Sequence, residues 1–409
     1  MASWADLLRL DWEDSMESKT GITRRSFLKY AANLALGAGI AHVAAADEAA
    51  DASTGGRERT EEVRGEMVYR KLGRTGIMIS VIAGGGMPAA LYPRALELGI
   101  NYWHKLGNWK PPEALISCPR ESFYCDMVID SLDEEKALQQ FESGLAKSGL
   151  EMIDFFKVHS LYRSGADIEG QPGVLRAFEK LKEEGKTRWL AISQHSNVGE
   201  VLTACIESGR FDAIQLPYNP LRAEEVEKVL ALARTHDVGV LAMKPMMGGS
   251  AGWAQEGEWK DKLNAFFPDN RSIAQALVRY CLAAEGMAAA IPLIRNSEQL
   301  EEVASAVEEP MTRTEAEGLA MFASAGLASC RMCGQCEAVC PKGIALADIF
   351  RYQMYCRDYG DQEHAYHLYA SLPSDRLATR CDDCRRCEAA CPYRLPVVSR
   401  LREAHAMLA

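Results

Sequence analysis

The chain has 409 residues and carries 46 basic against 57 acidic side chains, a net charge of −11. That length accommodates two domains, one of them with a large core. The acidic balance speaks against a nucleic-acid partner, because phosphate binding needs a basic surface. No run of about 18 or more strongly apolar residues occurs, so composition alone places nothing across a membrane.

In chain order, residues 1–46 come first. Thr23-Arg24-Arg25-Ser26-Phe27-Leu28-Lys29 precedes a mildly apolar stretch at 30–43, and Ala44-Ala45-Ala46 offers a small-residue cleavage site. This arrangement resembles a twin-arginine export signal, which implies the export machinery as a partner. It also implies a location in the periplasm or on the outer face of the cytoplasmic membrane. Residues 47–64 lack apolar periodicity and read as a disordered linker.

From Met67 the pattern changes. Val68 to Leu72, then Gly73-Arg74-Thr75-Gly76, then Ile77 to Ser80 predict a β-hairpin with a glycine-bounded turn. Short apolar runs follow at 81–84, 99–103, 123–129, 152–159, 188–193, 213–217, 239–244 and 288–293. Helical segments are expected at 89–98, 112–116, 133–148, 173–184, 198–208, 223–236, 272–284 and 297–307. Leu138, Phe141 and Leu145, for example, share one helical face. Eight β–α units over roughly 250 residues match a (β/α)8 barrel, the fold class expected for 65–325. An open doubly wound sheet is the alternative, but no Gly-x-Gly-x-x-Gly lies between a strand and a helix.

Two cysteine runs close the chain: Cys330, Cys333, Cys336, Cys340-Pro341 and Cys381, Cys384, Cys387, Cys391-Pro392. Three thiolates at steps of three, then a fourth four residues on before proline, is the spacing of a bacterial-ferredoxin run for [4Fe–4S] clusters. Structural zinc favours pairs separated by a longer loop. In a two-cluster fold the fourth cysteine ligates the other cluster. One set is therefore Cys330, Cys333, Cys336 and Cys391, and the other Cys381, Cys384, Cys387 and Cys340. Residues 326–409 should form a small helical domain around both clusters, with helices near 344–355 and 397–408. The remaining cysteines, Cys118, Cys125, Cys205, Cys281 and Cys356, read as small apolar residues rather than a disulfide framework.

Taken together, the chain resembles the aldo/keto reductase family over roughly 67–310. The pieces are Tyr69-Arg70-Lys71-Leu72-Gly73-Arg74-Thr75-Gly76, Gly99-Ile100-Asn101, Asp154-Phe155-Phe156-Lys157-Val158-His159, Gly185-Lys186-Thr187-Arg188 and Ile291-Pro292 with Arg295-Asn296. The cysteine runs, with Met243-Lys244-Pro245, resemble the branch that carries a C-terminal ferredoxin domain. The resemblance implies catalysis by Asp, Tyr, Lys and His at the C-terminal strand ends, with Tyr as general acid. Here His104 and Trp109 stand at the Asp and Tyr positions. The third strand holds no Lys, Asp126 is its only charge, and His159 alone is retained. For the nicotinamide cofactor the resemblance implies Ser193, Gln215 and Arg295. Gln194, Leu293 and Val303 replace family residues there, and an exported protein meets little NADPH, which weighs against NADP(H).

The barrel mouth is expected to carry His104, His159 and His195, with Gln215, Tyr218, Asn219 and Lys244. Three histidines on separate strands could ligate a metal, but no carboxylate or Cys obviously joins them, so hydrogen-bonded positions are expected. The reading is an iron–sulfur oxidoreductase with catalytic candidates His159, His104 and Lys244. Electrons would pass through two [4Fe–4S] clusters to or from a small-molecule substrate, with a redox partner protein or small electron carrier. The alternative is a catalytically silent barrel acting as the electron-transfer subunit of a larger redox complex.

Overall fold

The structure, a computed structural model, describes residues 61–246, 267, 272–325 and 330–409. The expected export signal lies outside the described residues. Of the expected linker, only 61–64 is described, and it is not irregular. Glu61–Arg64 forms strand β1, antiparallel to β2 (Met67–Lys71), which pairs with β3 (Met78–Ser80). The charged sequence of β1 hid it, because its side chains face outward and carry no apolar alternation.

The eight apolar runs become eight parallel strands. They are β4 (Gly84–Gly85), β5 (Tyr102–His104), β6 (Tyr124–Ile129), β7 (Ile153–His159), β8 (Thr187–Ser193), β9 (Ala213–Pro217), β10 (Gly239–Met243) and β11 (Met287–Ile291). Each pairs with the next in sequence order, and bridges Ile82 to Ala290 and Gly85 to Leu293 bring the two ends together. Strands covered on both faces need apolar residues at nearly every position, and β9, β10 and β11 are buried throughout. The intervening helices sit where periodicity placed them, among them Glu134–Ser148, Gly173–Glu183 and Val198–Glu207. Asp133 caps the first by accepting from the Lys136 amide.

The barrel interior is filled rather than open. Tyr102, Phe155, Ala191, Ala213, Leu241 and Ala289 pack together with Leu72 and Ile79 of the hairpin segment. The hairpin thus stoppers the N-terminal end. Asn101 pins it by accepting from the Ser80 amide (2.7 Å) and donating to the Met78 carbonyl (3.0 Å). Gly99 is required beside it. Its φ is +86°, and a Cβ there would lie 2.6 Å from the Tyr69 hydroxyl.

Helix Arg313–Ala325, which the periodicity analysis left unassigned, belongs to the barrel, since Leu319, Ala320 and Ala323 join its core. A second core begins at Ile344 and includes Phe350, Tyr369, Val398 and Leu401. Around it lie helices Leu346–Arg357, Gln362–Ala370 and Val397–Leu408. Among the described residues no helix is long and apolar enough to cross a membrane. Of the five scattered cysteines, Cys125, Cys205, Cys281 and Cys356 are buried and Cys118 is half-buried.

Helix Arg313–Ala325 is held by an ion pair, Arg279 to Glu315 at 2.6 Å, with side chains 6% and 0% exposed. Removing one member strands a buried charge. Arg279→Met is expected to lower the unfolding free energy by about 3–5 kcal/mol, read by chemical denaturation. A loss below about 1 kcal/mol would mean solvent already reaches this pair.

Candidate active site

In a strand, alternate residues share a face. Phe155, Lys157 and His159 of β7 therefore all face the barrel interior, in ascending order toward its C-terminal end. Phe155 lies in the apolar layer. Lys157, with no exposed surface, donates to Asp126 Oδ2 (2.6 Å) and Gln215 Oε1 (2.6 Å) and lies 3.4 Å from the Tyr102 hydroxyl. Asp126, also fully buried, accepts from Tyr102 (2.9 Å) and from the Lys105 amide (2.9 Å). Both its oxygens lie 3.1 Å from His104 Nδ1. Burial alone would push Asp126 up, but His104 and Lys157 outweigh it and hold the carboxyl well below its ordinary value. The same burial pushes Lys157 down against the opposing pull of Asp126. With four donors fixed on one carboxylate, we take the pair as ionised.

One layer higher, His159 Nδ1 lies 2.9 Å from Asp130 Oδ1, and its Nε2 lies 3.1 Å from Nε2 of His195. Burial lowers both His104 and His159 to about 4, although Asp126 and Asp130 respectively oppose it. His195 is pushed well down, by burial and then by the charge of Lys244. Three non-glycine residues directly after strands have positive φ: Lys105 (61°), Ser160 (51°) and Lys244 (56°). Backbone strain of this kind, of order 1 kcal/mol or more per residue, concentrates at functional sites.

The sequence-predicted residues divide among these layers. His104 joins the interior ion pair, His159 joins His195, and Lys244 turns to the second domain, where its Nζ lies 5.5 Å above the Tyr355 ring. No hydrogen bond joins the three. The histidines do not converge as metal ligands, and no group of three or more His, Cys, Asp or Glu suited to one ion exists among the described residues. Ser193, at the end of β8, is buried, and its carbonyl accepts from the Ser160 amide. Gln215 is engaged by Lys157. Arg295 donates to the Tyr359 carbonyl of the second domain (2.5 Å). Trp109 is 39% exposed.

Sequence reasoning missed Lys157, Asp126 and Tyr102 as a unit. The signal was present in the two-residue spacing of Lys157 and His159, which puts both on one strand face. Nothing local announced the residues that roof the mouth. Arg351 and Tyr355 come from helix Leu346–Arg357, and Asp348 on it pairs with Arg163 of the barrel (2.9 Å). Arg331 donates to the Leu221 carbonyl.

The eight cysteines line two cavities of about 410 and 330 Å³, counting their solvent-open parts. Cys330, Cys333, Cys336 and Cys391 wall the first; Cys340, Cys381, Cys384 and Cys387 wall the second. The halves repeat each other fifty-one residues apart, from Cys330 to Cys381 and from Cys340 to Cys391. Positive φ recurs at Met332 and Asp383, Gly334 and Arg385, and Gly343 and Arg394. Glu337 caps the Ala347 amide as Glu388 caps that of Val398, both at 3.1 Å.

An eight-stranded parallel barrel with its polar cluster at the C-terminal strand ends defines the TIM-barrel class, whose sites lie at that face. Residues 123–321 match the aldo/keto reductase family, so the chain carries an aldo/keto reductase domain. Among solved structures, an aldo-keto reductase from Bacillus halodurans in its holo form is similar. Its TM-score is 0.50 at 21% identity, covering 61% of this chain and 94% of that one. The apo form of the same protein has a TM-score of 0.48 at 21% identity and the same coverage. At this identity the likeness is one of fold. No curated protein matches the chain.

Neutral buried histidines carry a pH signature. A folded value near 4 against an ordinary 6.5 means that the unfolded state takes up protons first. The stability contribution is complete above pH 6.5 and declines as pH falls toward 4. For His159 it amounts to about 3 kcal/mol at most. Unfolding free energy should therefore fall more steeply between pH 6.5 and 5 in the wild type than in His159→Gln. Equal slopes would show the ring already protonated in the folded state.

Proposed function

We propose that this chain is an iron–sulfur oxidoreductase of the aldo/keto reductase type, acting on a small molecule at the barrel mouth. Its cysteines would hold two [4Fe–4S] clusters, which when bound supply one-electron transfer. The observation that carries the reading is the crossed composition of the two cavities, each walled by three cysteines of one run and the fourth of the other. One zinc ion needs four ligands converging on a point, whereas these thiols stand around a cavity. Arg331 and Arg400 line the first cavity and Lys342 and Arg385 the second, cations suited to offset clustered thiolates. The first cavity adjoins the barrel through Arg331, and the second reaches the surface at exposed Cys384.

At the mouth, the linked pair His159–His195 is placed to exchange a proton with substrate, with Asp130 fixing the His159 ring. Lys157 and Asp126 touch no solvent and act through His104, whose orientation they set. Two contacts weigh against a bound dinucleotide: Gln215 Oε1 accepts from Lys157, and Arg295 donates to the Tyr359 carbonyl. The proposed reaction uses none.

The full chain, purified anaerobically, is expected to contain about eight irons and eight sulfides. Cys391→Ala should damage the cluster of the first run, since its fourth ligand comes from the second. Turnover of a carbonyl panel should run with a viologen-type donor, fail with NADPH, and vanish in Cys336→Ala. Zinc as the dominant metal, or NADPH turnover that survives cluster loss, would overturn the reading. Activity with neither donor would leave electron transfer as the protein's sole role.

We further propose export by the twin-arginine route, supported by Arg24-Arg25 and the stretch that follows. Arg24→Lys with Arg25→Lys should retain the protein inside the cytoplasm with its clusters in place, read by fractionation. Normal export of the double variant would remove the proposal.

A further inference from the structure

Two buried polar groups at the barrel mouth lack the partners their chemistry demands. Nζ of Lys244 and Nδ1 of His195 are both shielded from solvent and hydrogen-bonded to nothing among the described residues. His195 is 6% exposed. Both residues bond through their carbonyls to one short segment, Asn219–Arg222. Lys244 is the foremost charge acting on His195, the Lys244 carbonyl accepts from Asn219 (3.1 Å), and the His195 carbonyl accepts from Arg222 (3.2 Å).

Their requirements differ in sign. An ammonium offers only donors. Burial, then Arg351 and Arg222, push Lys244 well down, and no carboxylate opposes them, so an anion is what would hold it as an ammonium. The Tyr355 ring face compensates in part. His195 needs the opposite partner, and the hydrogen-bond chain assigns its tautomer. Asp130 accepts, so His159 Nδ1 carries the proton and His159 Nε2, on a neutral ring, is bare. The 3.1 Å contact between the two rings then requires the proton on His195 Nε2. That leaves His195 Nδ1 as a lone pair, an acceptor buried without a donor. Such orphaned groups are costly and are exceptions that call for an explanation.

We propose that the mouth binds a small hydroxy-substituted oxyanion, its carboxylate or phosphate against Lys244 and its hydroxyl donating to His195 Nδ1. This rests on the proposed function only in taking the mouth as the substrate site. It specifies what that reading left open: an anionic group and an alcohol on one small molecule. A plain anion would satisfy Lys244 and leave His195 bare, and a neutral alcohol would do the reverse. The roof explains why both groups are dry, since Tyr355 and Arg351 come from the second domain.

Calorimetric titration of the cluster-loaded full chain tests this, with glycolate, glycerol phosphate and acetate as probes. Glycolate or glycerol phosphate should bind, and which of them does so identifies the anionic group. Acetate should bind about tenfold more weakly than glycolate or not at all, because it lacks the donor for His195. Lys244→Met should weaken binding at least about tenfold, while Lys186→Gln, on the distant surface pair with Glu142, leaves it unchanged. Should Lys244→Met not fold, Lys244→Gln serves, and His195→Phe should erase the preference for glycolate over acetate. Equal binding of acetate and glycolate, binding indifferent to Lys244, or no binding of any probe would overturn the inference. A chain that turns over with the viologen donor yet binds none of the three loses this inference alone. A chain that binds as expected but holds no iron loses the proposed function instead.

Discussion

An ammonium with no exposed surface, lodged inside a parallel barrel, is the constraint around which this mouth is arranged. Unpaired, Lys157 would cost several kcal/mol. Asp126 answers it from β6, Tyr102 and His104 attach to that carboxylate from β5, and Gln215 takes a second proton of the ammonium from β9. Side chains from four strands are thereby fixed against one another before any ligand arrives. The polarity of the interior follows. Below this layer the barrel is filled by Phe155, Leu241 and the hairpin's Leu72, and above it the side chains are histidines and a lysine.

The barrel was legible because its physics is local. A strand covered on both faces must read as an apolar run, and each of the eight runs lies within a few residues of its strand. The crossed cysteine sets follow the ferredoxin-type pattern, in which the fourth thiol of each run has left on a new element and faces the other half. Strand β1 escaped because a three-stranded ribbon with an exposed face leaves no apolar period. Helix Arg313–Ala325 escaped for a related reason, its sequence being rich in Ala and small residues whose burial depends on what lies beneath. The Lys157 cluster was half visible. Its two-residue spacing from His159 set the face, but the partnership with Asp126 crosses from one strand to another. The roof over Lys244 could not be read at all, since it depends on how a helix more than a hundred residues later packs back onto the barrel.

The two ends of the barrel are treated in contrasting ways. The N-terminal end is sealed by apolar contact and by Asn101 standing in for a strand's hydrogen bonds. The C-terminal end is covered through polar and aromatic contacts, Arg163 with Asp348, Arg295 with Tyr359, and Lys244 beneath Tyr355. Interfaces of that kind tolerate relative movement better than packed apolar ones.

The exchanged fourth cysteine has a consequence for how the second domain comes into being. Each cavity borrows one wall from the other half, so neither half is a complete container. A nascent chain that has emerged only as far as Cys340 owns three walls of one cavity and one wall of the other. The second cavity gains its last thiol at Cys387 and the first only at Cys391, both in the second run. The domain therefore closes as one event within the second cysteine run, not half by half. The barrel mouth, whose roof is that same domain, stays uncovered until then.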